Sequence, residues 1–105
     1  MILTTTDSVP GRSIREALGI VKGSTVRAAH VGTDMRAWLK NLVGGEVEEY
    51  TKLLAEAREQ ALDRMCAEAR ARGADAIIGL HFSSCEIADG AAEFLVYGTA
   101  VKLAP

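Results

Sequence analysis

The spacing of hydrophobic and polar positions changes period along this chain, and each change marks an element. Between Glu46 and Arg72 there is no glycine or proline, and Ala, Leu, Glu, Arg, Lys and Gln predominate, the strong helix formers. At about 100° per residue, Val47, Tyr50, Leu53, Leu54, Ala57, Ala61, Leu62, Met65 and Ala69 gather within half of the circumference. Glu48, Glu49, Lys52, Glu56, Glu59, Asp63 and Arg70 take the other half. The pattern predicts one amphipathic helix of roughly 40 Å. Gly44-Gly45 breaks the chain before it, Arg70 and Arg72 suit the negative end of its dipole, and Gly73 is placed to cap it. Arg58 and Glu68 stand on the margin of the apolar stripe. Their stems can cover apolar surface while the heads reach water, or they can make an intersubunit or ligand contact.

Beyond Gly73 the period drops to two. Residues 75–87 and 93–103 read as strands, and Asp89-Gly90 between them is a two-residue hairpin signal. A turn centred there pairs Leu80 with Thr99, Phe82 with Tyr97 and Ser84 with Leu95, and also His81 with Gly98, Ser83 with Val96 and Cys85 with Phe94. Alternation then gives an apolar face of Ile78, Leu80, Phe82, Leu95, Tyr97, Thr99 and Val101, on which the helix is expected to lie. The reverse face, with Gly79, His81, Ser83, Cys85, Phe94, Val96, Gly98 and Ala100, mixes apolar and small polar residues. A face of that character in so small a sheet suits coverage by another chain.

Ahead of the helix, residues 2–6 are β-prone and residues 7–11 hold strong turn formers. Residues 13–31 favour a long strand with bends at Gly19 and Gly23, a short helix over 14–18 being the alternative. Thr33 or Asp34 can cap a short helix through Leu42, with Met35, Trp38, Leu39 and Leu42 at helical spacing. That spacing makes Trp38 a core or subunit-interface residue rather than a ligand-stacking platform.

The composition, 105 residues with 49% apolar and 25% charged, describes one soluble globular domain over 1–105. A formal net charge of -2 leaves no basic field for phosphate backbones, which argues against a nucleic-acid partner. The charge is uneven: residues 1–45 sum to +3 and residues 46–105 to -5, which suits pairing with a copy of itself or, at equal cost, a solvated pattern with no partner. Two cysteines, no leader-like N-terminus and no run of about 20 apolar residues predict a cytoplasmic protein without a membrane span.

One further pattern joins these segments. Thr4-Thr5, Gly19, Gly23, Val43-Gly44-Gly45, Tyr50, Ala57-Arg58, Ala61, the run Gly73-Ala74-Asp75-Ala76-Ile77-Ile78-Gly79 and the closing Gly98-Thr99-Ala100-Val101-Lys102 together resemble the YbjQ-like family. The family carries a heavy-metal-binding label and has no known function. The likeness covers nearly the whole chain and is most specific from Gly73 to Gly79. It implies an α+β fold with a dodecin-like β-α-β-β core, one long helix packed on an antiparallel sheet. It also implies a ring-shaped homo-oligomer, a homopentamer. Glu46 departs from the family, where a basic residue commonly follows the glycine pair.

The label directs attention to metal donors. His30, Cys66, His81 and Cys85 are the soft or borderline ones, with no C-x-x-C, H-x-x-x-H or H-E-x-x-H arrangement. His81 and Cys85 share a strand face but lie ~13 Å apart at ~3.3 Å per residue, too far for one ion within one chain. A ring would repeat them around its axis, so a divalent or heavy-metal ion shared between subunits is the form such a site would take. Cys66 falls on the polar side of the predicted helix without a companion. No catalytic residue set emerges: His81 and Cys85 are too distant for proton transfer, and no G-x-S-x-G, P-loop or dinucleotide fingerprint occurs. Glu86 and Glu93 are expected to face each other near the turn as solvated charges. Arg58, Trp38 and Glu68 are the candidates for a ligand or interface contact. The reading is a homo-oligomer that binds metal or a small ligand. A scaffolding oligomer without ligand, and an enzyme with an intersubunit active site, are the rivals.

Overall fold

A computed structural model describes residues 1–28, 40, 44–88 and 91–105. The described elements follow the order β1 (Ile2–Leu3), β2 (Ile14–Ala28), α1 (Gly45–Ala71), β3 (Ala76–Ala88) and β4 (Ala91–Leu103). They form a four-stranded sheet in the order β1-β3-β4-β2, with α1 against one face. The β3-β4 and β4-β2 pairs are antiparallel, but β1 runs parallel to β3, so the sheet is mixed rather than wholly antiparallel. The stretch 14–18 is strand, not the alternative helix. The short helix ending at Leu42, with Trp38, lies outside the described residues, as do His30 and the Asp89-Gly90 turn.

The helix begins and ends where the glycines stand. Gly44 has φ 54° and Gly73 φ 77°, left-handed values that glycine adopts without the steric cost of a Cβ. At the C-terminus the Gly73 N–H donates to the Arg70 carbonyl and the Ala74 N–H to the Ala69 carbonyl, the paired bonds of a Schellman cap. The chain then passes straight into β3.

Ala57, Ala61, Met65 and Ala69, four residues apart, form the buried stripe of α1, and they lie chiefly over β2. Small residues allow the close approach. A Cβ on Gly23 would lie 2.0 Å from the Ala61 carbonyl oxygen, so strand and helix backbones touch there. One turn away, the Thr25 hydroxyl donates to the Ala57 carbonyl at 3.0 Å in the buried interior. Met65, with no exposure, supplies the largest buried side chain, and its burial contributes about 2–3 kcal/mol.

The helix does not lie on the expected face. The core beneath it is Val21, Ile77, Leu80, Val96 and Ala100, whereas Ile78, Val101 and Leu103 pack with Val9 and Ala76 on the reverse. A β-bulge is the reason. Between Ile78 and His81 the strand advances three residues while its partner advances from Thr99 to Tyr97, and Gly79 takes φ 60°. Beyond the bulge the pairs are His81–Tyr97, Phe82–Val96, Ser83–Leu95, Ser84–Phe94 and Cys85–Glu93, one place from the register a centred turn would give. A one-residue slip exchanges the faces of a strand. Leu80 and Phe82 therefore join Val96 on the helix side, while Leu95, Tyr97 and Thr99 turn away with His81.

Candidate functional site

The bulge also sets how the outer part of β3 is presented. The N-terminal segment follows β3 only as far as Leu80: the Gly79 N–H donates to the Thr6 carbonyl at 2.9 Å and the Leu80 N–H to the Thr4 carbonyl at 3.1 Å. The segment then turns away, held by its own hydroxyls. The Thr6 hydroxyl donates to the Ser8 carbonyl at 2.6 Å and the Thr4 hydroxyl to Thr6 Oγ1 at 2.7 Å. From His81 onward, β3 pairs with β4 on one side and with no described strand on the other.

His81 is the first residue of this stretch, and it is fixed in two ways. Its Nδ1 lies 2.7 Å from the carbonyl oxygen of Gly79. A carbonyl only accepts, so Nδ1 is the donor, and in the neutral imidazole Nε2 then keeps its lone pair. The imidazole also stacks on the ring of its cross-strand partner Tyr97, with centroids 5.6 Å apart and planes 15° from parallel. The side chain is exposed. A histidine anchored by a carbonyl at one nitrogen and open at the other is oriented as metal-ligating histidines are.

Cys85 is an exposed free thiol four residues further along the same face. Its cross-strand partner is Glu93 rather than the expected Phe94, which places a carboxylate-bearing residue directly opposite the thiol, with Cβ atoms about 5 Å apart. The expected Glu86–Glu93 pair does not form, because Glu86 is opposite Ala92. Glu93 is the donor that sequence reasoning assigned elsewhere, and the missing signal was the bulge at Gly79. His81 and Cys85 remain ~13 Å apart along the strand. Among the described residues, no group of three His, Cys, Asp or Glu side chains could surround one ion.

The remaining candidates separate. Cys66 is buried in the core beside Met65 rather than on a polar face, because the sheet wraps further around α1 than the stripe suggests. Glu68 serves the fold: Oε1 pairs with Arg72 Nη2 at 2.9 Å, and Oε2 accepts from the Lys22 backbone N–H at 3.3 Å. Arg64 Nη1 donates to the Ser24 carbonyl, and Arg72 Nη1 to those of Leu18 and Ile20. Gln60 accepts from Arg27 at 3.0 Å. Residues 60, 64, 68 and 72 thus form an i,i+4 row along the outer side of β2, which occupies that free edge. Arg58, outside this row, lines a cleft with Phe82, Ser84 and Phe94. Burial raises the Tyr50 hydroxyl above the usual tyrosine range.

No described helix is long and apolar enough to cross a membrane. Comparison with known proteins adds the following. Residues 1–104 match the family YbjQ, described as "putative heavy-metal-binding". A UPF0145 protein of Methanoculleus marisnigri is 56% identical over 105 residues, covering 100% of this chain and 98% of that protein. One from Archaeoglobus fulgidus is 55% identical over 103 residues, covering 98% and 95%. Among solved structures, a protein of unknown function in the DUF74 family from Pediococcus pentosaceus superposes with TM-score 0.64 at 18% identity, covering 99% of this chain and 98% of that one. At that identity the likeness concerns the fold.

Proposed function

We propose, from the premise that this chain belongs to the YbjQ-like, UPF0145 family, that it binds a divalent or heavy-metal ion at sites shared between copies of itself. The observation that carries this reading is His81, with Nδ1 on the Gly79 carbonyl, its ring against Tyr97 and Nε2 free on an exposed surface. Cys85 supplies a thiolate donor on the same face, and Glu93, opposite it, a carboxylate. Imidazole with thiolate selects zinc, copper or cadmium over magnesium or calcium.

The shared character follows from reach. Zinc needs its ligands at ~2.0–2.3 Å from one point, which the ~13 Å between His81 and Cys85 prevents within one chain. A second copy, or a ring of copies, can bring His81 of one subunit toward Cys85 and Glu93 of another. The side of β3 that no described strand pairs supports such an assembly, as do Ile20 (70% exposed) and Val26 (51%) on the face of β2 turned away from α1. The same residues carry no nucleophile–base pair, so binding rather than catalysis is the function proposed.

The test is metal uptake by the purified protein and its variants. His81→Ala and Cys85→Ala should each lower the stoichiometry of tightly bound zinc, and the double variant should abolish it. Uptake unchanged in the double variant would remove both residues from the site.

A further inference from the structure

The cleft on the helix side of the sheet has a chemistry of its own. It is open to solvent, measures about 140 Å³, and is lined by Arg58 from α1, Phe82, Ser83 and Ser84 from β3, and Phe94 from β4. Among the described elements α1 lies chiefly over β2, and no other described element covers the helix side of β3 beyond Leu80. Phe82 is 52% exposed there, unusual for a phenyl ring pointing toward a helix.

Arg58 is the distinctive member. Arg27, Arg64 and Arg72 each donate to a named acceptor, but Arg58 makes no hydrogen bond, ion pair or ring contact with any described residue. An unpaired guanidinium beside two phenyl rings and the Ser84 hydroxyl offers a planar two-pronged donor next to an apolar slot. Cavities of about 150 Å³ hold one benzene-sized ring, whereas sites for larger ligands begin near about 300 Å³. The cleft thus matches one ring-sized group rather than a whole nucleotide or flavin.

The geometry points to a site for a small carboxylate with a planar apolar body, its anionic end on Arg58 and its ring against Phe82 and Phe94. This inference is independent of the metal reading, since His81 and Cys85 lie on the opposite face of the sheet.

Benzoate is the probe, followed by amide chemical shifts of the ¹⁵N-labelled full chain. Saturable shifts at Phe82, Ser84 and Phe94 are expected. Arg58→Met keeps the stem and removes the charge, and should weaken binding by about tenfold or more. Phe82→Ala should weaken it by about threefold or more. His81→Ala should leave benzoate binding unchanged. Benzyl alcohol, which has the ring without the charge, and sulfate, which has charge without the ring, should each bind about tenfold more weakly than benzoate. The proposal is overturned if benzoate produces no saturable shift, as it would if another subunit filled the cleft. It is equally overturned if the shifts fall on the His81 face, if Arg58→Met binds as the wild type does, or if benzyl alcohol binds as well as benzoate.

Discussion

Gly23 shows how narrowly single residues are determined here. A methyl group at this position would meet the helix backbone at 2.0 Å from the Ala61 oxygen and 2.6 Å from the Met65 nitrogen, neither of which can rotate aside. Gly23→Ala should cost about 3 kcal/mol in urea unfolding, as overpacked interiors do. Thr25→Val keeps the shape but loses the hydroxyl bond to Ala57, and should cost about 1 kcal/mol by the same measurement. Tyr50 adds a pH dependence. Its folded pKa is raised by burial, so the neutral form is favoured in the native state. That contribution is complete below the ordinary tyrosine pKa of 10.0 and is lost as pH rises through the higher folded value. Alkaline loss of stability should therefore be shallower in Tyr50→Phe than in the wild type. His81 is the functional counterpart of these residues: its ligand-ready tautomer depends on the Gly79 carbonyl, hence on the left-handed φ of Gly79.

At the scale of elements, the helix was legible because its evidence is periodic. Ala57, Ala61, Met65 and Ala69 mark a stripe that no other structure would use, and the terminal glycines fix the ends. Strand identity in β3 and β4 was equally legible, but their register was not. Register rests on where one extra residue is accommodated, and nothing in Ile78-Gly79-Leu80 distinguishes a bulge from a plain strand glycine. The slip displaced each expected partner of His81 and Cys85 and hid the Cys85–Glu93 pair. The role of Glu68 was hidden for a related reason, since a charge on the stripe margin identifies no partner until the neighbouring strand is placed. Arg64, Glu68 and Arg72 bond the Ser24, Leu18 and Ile20 carbonyls and the Lys22 N–H of β2, which blocks the middle of this edge to another strand. Exposed pairs of this kind contribute under about 1 kcal/mol each. Glu68→Ala should thus leave the unfolding midpoint nearly unchanged while speeding hydrogen exchange at the Lys22 amide.

The whole molecule is longer than a compact chain of its size. Its radius of gyration is 16.9 Å with extents of 53 × 24 × 19 Å, against about 13 Å for a compact domain of about 100 residues. Among the described residues, one face of the sheet is covered by α1 at its β2 side, and on the other Val9 packs near Val101 and Leu103. Ile20, Val26, Phe82 and Tyr97 are left exposed. Association over the face opposite α1 would bury Ile20, Val26 and Tyr97 while leaving the Phe82 cleft open. In the proposed shared site it would bring His81 of one copy near Cys85 and Glu93 of another. The proposed shared site therefore requires assembly, which a mass measurement can decide. Native mass spectrometry of the untagged protein, stripped of metal and then titrated with zinc, tests the shared site most directly. The account predicts a multiple of the chain mass that gains zinc to a fixed number per assembly, with the gain abolished in the His81→Ala, Cys85→Ala double variant. A monomer, or an assembly that takes up zinc diffusely and equally in that variant, would contradict it.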